Sequence, residues 1–108
     1  MSTAFDELYR VIDERKTNPQ EGSYTCYLFD KGLDKILKKI AEECGETIIA
    51  AKNGVPEQTV DELADLFYHA FVLMNAQNIP LEALTDELTR RAGKIGNLKT
   101  MRDTDKDS

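Results

Sequence analysis

KGLDKILKKIAEECGETIIAAK, residues Lys31–Lys52, decides the reading of the fold. At about 100° per residue, Leu33, Ile36, Leu37, Ile40, Cys44, Ile48 and Ala51 fall on one helical stripe. Glu43 stands at the edge of that stripe, Glu46 lies one step further round, and Glu42 follows it. Three carboxylates therefore crowd one flank of a helix whose other flank is apolar. Glu42 and Glu43 precede Glu46 by one helical turn, so like charges repel locally, a cost that a bound cation removes. Gly45 adds roughly 1 kcal/mol relative to Ala. Close approach of a neighbouring helix and room for a ligand explain it equally well.

A second stretch, Glu57–Gln77, answers the first. Leu63, Leu66, Phe67, Ala70, Leu73 and Met74 form its apolar stripe, with Glu62, Asp65 and His69 along one edge. Antiparallel packing of the two stripes sets Glu43, Glu46, Glu62 and Asp65 across one seam. Clustered oxygens without thiolate suit a hard cation, Mg²⁺ or Mn²⁺. A di-iron bundle needs two Glu-x-x-His motifs, and His69 is the only histidine. His69 itself reads as a hydrogen-bonding neighbour of the site rather than a ligand. Thr59-Val60-Asp61-Glu62 also matches a helix capping box, which gives Glu62 a purely structural alternative.

Around these two helices the chain is punctuated by breaks. Ala4–Lys16 reads as a helix with Phe5, Leu8, Val11 and Ile12 on one face, capped by Ser2 or Thr3, with Asp6 and Glu7 at its positive end. Asn18-Pro19 and Gly22 interrupt it. Tyr24–Phe29 has strand-like composition, but no second strand pattern exists to pair with it, so extended loop or the start of a helix is expected. Asn53-Gly54 ends the main helix and Pro56 follows. Pro80 suits the first turn of a last helix bearing Leu81, Leu84, Leu88, Ala92 and Ile95. Residues 1–99 form one all-α domain in this reading, a four-helix-type bundle, and 100–108 a disordered tail. Ile49, Phe71 and Val72 fall off the main stripes, which predicts a homodimer or higher homo-oligomer completing the bundle.

The formal charge is −6, from 20 acidic against 14 basic residues, which argues against a nucleic-acid-binding surface. No apolar run reaches the ~18–20 residues of a membrane span, and Met1-Ser2-Thr3-Ala4 lacks the features of a signal peptide. Cys26 and Cys44 match no zinc spacing. Both are expected to be reduced, Cys44 in the core, which fits a cytoplasmic protein.

At these residues the chain resembles the phosphoribosyl-ATP pyrophosphohydrolases of histidine biosynthesis, within the all-α MazG-like nucleoside triphosphate pyrophosphohydrolases. The wider pattern is Glu-Glu-x-x-Glu followed by Glu-x-x-Asp, here Glu42-Glu43-Cys44-Gly45-Glu46 and Glu62-Leu63-Ala64-Asp65. The narrower one rests on Gly22-Ser23-Tyr24-Thr25, on Lys31 to Lys39, on Ala50-Ala51-Lys52-Asn53 and on Asp65-Leu66-Phe67-Tyr68-His69. The match runs from about Phe5 to Arg91. Cys44-Gly45 stands where small alanine or threonine types are usual. No segment has the length of the cyclohydrolase domain fused in many relatives, so a stand-alone form is expected.

The resemblance implies Mg²⁺-dependent hydrolysis of phosphoribosyl-ATP to phosphoribosyl-AMP and pyrophosphate, the pathway's second step, on a small nucleotide with ATP-like phosphates. It implies Glu43, Glu46, Glu62 and Asp65 as metal ligands and Glu42 as ligand or base. Lys31, Lys39, Lys52, His69 and the loop Gly22, Ser23, Tyr24 and Thr25 become candidate substrate contacts. Lys39 has an ordinary helix salt bridge as its alternative role. A housekeeping pyrophosphohydrolase for other nucleotides shares the same carboxylates, and a non-catalytic helical interaction module would use the acidic flank for a partner.

Overall fold

The computed structural model describes residues 2–96, which form five helices: α1 (Ala4–Thr17), α2 (Tyr24–Lys31), α3 (Leu33–Asn53), α4 (Pro56–Ala76) and α5 (Leu81–Gly96). The described residues contain no strand, so the protein is an all-α bundle. The expected tail, 100–108, lies outside them.

α3 and α4 are the frame. Each has 21 residues, about 30 Å of helix. Gly54 ends α3 in the left-handed conformation at φ 76°, its N–H donating to the Ala51 carbonyl. Val55 is extended, and Pro56 opens α4 where its missing N–H costs nothing. The short link turns the chain back, and α3 and α4 pack along each other as an antiparallel hairpin.

α1 begins with a reciprocal capping box: Thr3 Oγ1 accepts the Asp6 N–H at 3.1 Å, and Asp6 Oδ2 accepts the Thr3 N–H at 2.9 Å. The capping box expected at Thr59 does not exist, because α4 already starts at Pro56 and Thr59 lies inside it. The stretch from Tyr24 is a helix in its own right, so the bundle has five helices instead of four. Ser23 Oγ caps it by accepting the Cys26 N–H at 3.2 Å. Gly32, at φ 90° and ψ −170°, breaks the chain between α2 and α3. The main helix therefore begins at Leu33, after a sharp joint.

The core is Ile12, Leu28, Ile36, Phe71, Val72, Met74 and Leu81, one or more from every helix. It sits at one end of the hairpin, where α1 and α2 cross the second half of α4. Phe5 and Tyr9 pack edge-on against Phe71. Phe71 and Val72, expected at a subunit surface, are 3% and 0% exposed. The second half of α4 is enclosed from several sides, so a single stripe does not describe it.

Towards the other end of the hairpin the cover thins: among the described residues the start of α1 reaches Phe67 through Phe5, with ring centroids 5.8 Å apart. There the predicted stripes lie open: Ile48 is 65% exposed, Phe67 43% and Leu63 38%. Leu33 and Leu37 are also exposed, and so is Cys44, against the expectation of a core thiol. α3 instead buries Ile36, Glu43 and Ala50. A Cβ at Gly45 would meet no atom within 4 Å, so none of the described helices approaches closely there.

Candidate active site

The buried face of α3 carries a carboxylate where periodicity alone would place an apolar residue. Glu43 is 6% exposed. Across the seam, the register of the hairpin sets Glu62 and Asp65 of α4 opposite it, and one oxygen from each of the three lies within 4.8 Å of the others. Glu43 Oε2 and Glu62 Oε2 are buried without a hydrogen-bond partner. Burial, then the charge of Glu46 beside it, raises the Glu43 carboxyl above its ordinary range. Glu62 is pushed up to about 7 by burial and by contact with Glu46 and Glu43. Two orphaned oxygens and a third carboxylate at this separation fit an oxygen-seeking divalent cation, which would relieve both the repulsion and the missing bonds.

Glu46 sits at the rim, one turn along α3. It lines a cleft of about 230 Å³ with Ile49, Ala50, Asn53, Gln58, Asp61 and Glu62. On the other side of the trio, His69 is buried on α4. Its Nδ1–H donates to the Asp65 carbonyl at 2.7 Å, since that oxygen only accepts, and its Nε2 is hydrogen-bonded to the Tyr24 hydroxyl at 3.0 Å. Thr25 Oγ1 and the Tyr68 hydroxyl bond one residue away.

The family model for phosphoribosyl-ATP pyrophosphohydrolase matches residues 5–92, taking in both carboxylate segments and the Tyr24 loop. The chain belongs to the phosphoribosyl-ATP pyrophosphohydrolase family. Phosphoribosyl-ATP pyrophosphatases from Bacillus cereus (strain ZK / E33L) and Bacillus anthracis (strain A0248) are each 51% identical over 105 residues, 97% of this chain and 98% of theirs. Membership makes the chain a hydrolase of the phosphoric-anhydride class.

The remaining residues expected of a phosphoribosyl-ATP pyrophosphohydrolase lie on α2, on α3 and in the turn before α2. Glu42 is on the outside of α3, bonded to Lys39 Nζ at 3.1 Å. That contact holds the Glu42 carboxyl low and the Lys39 ammonium high. Lys39 thus takes Glu42, three residues on, as its partner. Lys31 Nζ stands 5.8 Å from the centre of the Tyr27 ring, and Lys52 is exposed in the last turn of α3. Gly22, Ser23 and Tyr24 border a wide depression with Gln20, Cys26, Tyr27 and Asp30. Tyr68, part of the motif that carries the resemblance, holds Thr25 Oγ1 through its hydroxyl. Gln58 at the cleft is a common surface type with no signal of its own, and only the hairpin register brings it beside Asn53 and Asp61.

Proposed function

We propose that this chain hydrolyses phosphoribosyl-ATP to phosphoribosyl-AMP and pyrophosphate with Mg²⁺, as the second step of histidine biosynthesis. The observation that carries the substrate is 51% identity, over nearly the full length of both chains, to proteins named phosphoribosyl-ATP pyrophosphatase. The chemistry rests on the carboxylate trio. Glu43, Glu62 and Asp65 hold the ion, with Glu46 completing the set from the rim, and Mn²⁺ suits the same oxygens. The bound ion supplies charge neutralisation at the phosphates and an acidified water. Glu42, on the outer flank of α3, would serve as a further ligand or as the base. Lys39 places positive charge next to the trio for a phosphate, and the Glu42 contact keeps it protonated.

The enzyme acts as a homodimer, the partner covering the apolar end of the α3–α4 hairpin, and it works in the cytoplasm. The test is product formation from phosphoribosyl-ATP beside a panel of ordinary nucleoside triphosphates. Phosphoribosyl-AMP and pyrophosphate should appear from the first at rates far above turnover of the panel. Comparable turnover of the panel would favour a housekeeping role, and no Mg²⁺-dependent turnover of any nucleotide would overturn the enzyme reading.

A further inference from the structure

The loop Ser23-Tyr24-Thr25 has three hydroxyls, and each already has a partner within the chain. Ser23 Oγ caps α2 through the Cys26 N–H. The Tyr24 hydroxyl is hydrogen-bonded to His69 Nε2 at 3.0 Å. Thr25 Oγ1 bonds the Tyr68 hydroxyl. The last two fasten the first turn of α2 to consecutive residues of α4, one turn beyond Asp65. The rings reinforce the hydroxyls: Tyr24 stacks on Tyr68 with centroids 6.2 Å apart and meets His69 edge-on at 5.8 Å. His69, 4% exposed, is in turn bonded to the Asp65 carbonyl.

We propose that Tyr24, Thr25, Tyr68 and His69 form a clasp that sets the rotation of α4, so that the loop positions the carboxylate trio rather than gripping a phosphate. The geometry makes rotation the sensitive variable. A carboxylate oxygen some 5–6 Å from a helix axis moves about 2 Å when the helix turns about 20°. That is a large part of the separation that brings Glu43, Glu62 and Asp65 together. Two bonds from a neighbouring helix, one turn away, oppose that turn. The four are positioning residues, acting on the site through α4.

The inference rests on the metal-site reading, and Mn²⁺ titration separates the two. Wild-type protein should bind Mn²⁺ by calorimetry, and Asp65→Asn should abolish binding; without wild-type binding, the metal reading and the clasp both fail. Tyr24→Phe with Thr25→Val should weaken Mn²⁺ binding about tenfold, as loss of groups that orient ligands does. It should also lower kcat for phosphoribosyl-ATP, leave KM at saturating Mg²⁺ within about twofold, and retain wild-type helicity by circular dichroism. Tyr24→Phe alone removes one oxygen and serves if the double variant does not fold. Unchanged Mn²⁺ affinity, with either a raised KM or wild-type kinetics, overturns the clasp while the metal reading stands.

Discussion

Burial and the neighbouring carboxylates Glu46 and Glu43 push Glu62 up to about 7, and the direction of that shift fixes how the site responds to pH. In the unfolded chain a glutamate ionises near 4.3. Between those values the folded, metal-free protein keeps a proton that the unfolded chain has released. Its stability therefore falls as pH rises through that window, and Glu62 adds no further dependence above about 7. A divalent cation needs the ionised carboxylate, so Mn²⁺ affinity should climb from pH 5.5 to about 7 and then level off. A flat calorimetric profile over that range would remove Glu62 from the ligand set. Neutral isosteres test the other members: Glu46→Gln and Asp65→Asn should each lower Mg²⁺-dependent turnover by orders of magnitude with helicity unchanged. Near-normal rates in both would refute the site. These carboxylates were legible because three- and four-residue spacings place side chains on one helical flank whatever surrounds it. The Tyr24–His69 and Thr25–Tyr68 pairs were not, since they depend on where α2 crosses α4. Nor were the bonds from Lys16 Nζ to the Asn75 carbonyl and from Asn75 Nδ2 to Asp13, which join α1 to α4 across some sixty residues.

The joint at Gly32 shows how a single residue divides elements. The pattern from Lys31 onward is helical, yet φ 90° with ψ −170° belongs to a region open almost only to glycine. Space is not the obstacle, because a Cβ there would meet nothing within 4 Å. The cost of Gly32→Ala is therefore backbone strain, about 1–3 kcal/mol. It should appear as a lower urea midpoint with an unchanged m-value, and a midpoint equal to wild type would show that the joint tolerates other geometry. Gly54 and Pro56 were readable in advance because their places at helix ends follow from local backbone rules alone. The short α2 was readable only as one of two alternatives, extended loop or helix start, since eight residues of mixed aromatic and polar type become helical through the Ser23 cap and burial of Leu28 against the core.

At the scale of the molecule, the two apolar faces are divided differently from what periodicity suggests. Hydrophobic spacing on α3 and α4 identified Leu37, Cys44, Ile48, Leu63 and Phe67 as a buried seam, yet within one chain they are exposed. Periodicity reports that a face is apolar and is silent on what covers it. With Ala4, Phe5, Leu8, Val60 and Ala64, the residues Leu63 and Phe67 also line an apolar groove at this end. We expect sedimentation to give a dimer at micromolar concentration, and Leu37→Lys with Ile48→Lys to shift it towards monomer. A stable wild-type monomer would rule this assembly out. The central claim is that Glu43, buried in the hairpin seam, holds with Glu62 and Asp65 the cation needed to split phosphoribosyl-ATP. Its most direct test is pyrophosphate release from phosphoribosyl-ATP by chelator-treated protein, before and after Mg²⁺ is restored, with Glu43→Gln measured alongside. The account predicts one pyrophosphate per phosphoribosyl-AMP, only with Mg²⁺ and only from the wild type. Equal release without Mg²⁺, or undiminished release by Glu43→Gln, would contradict it.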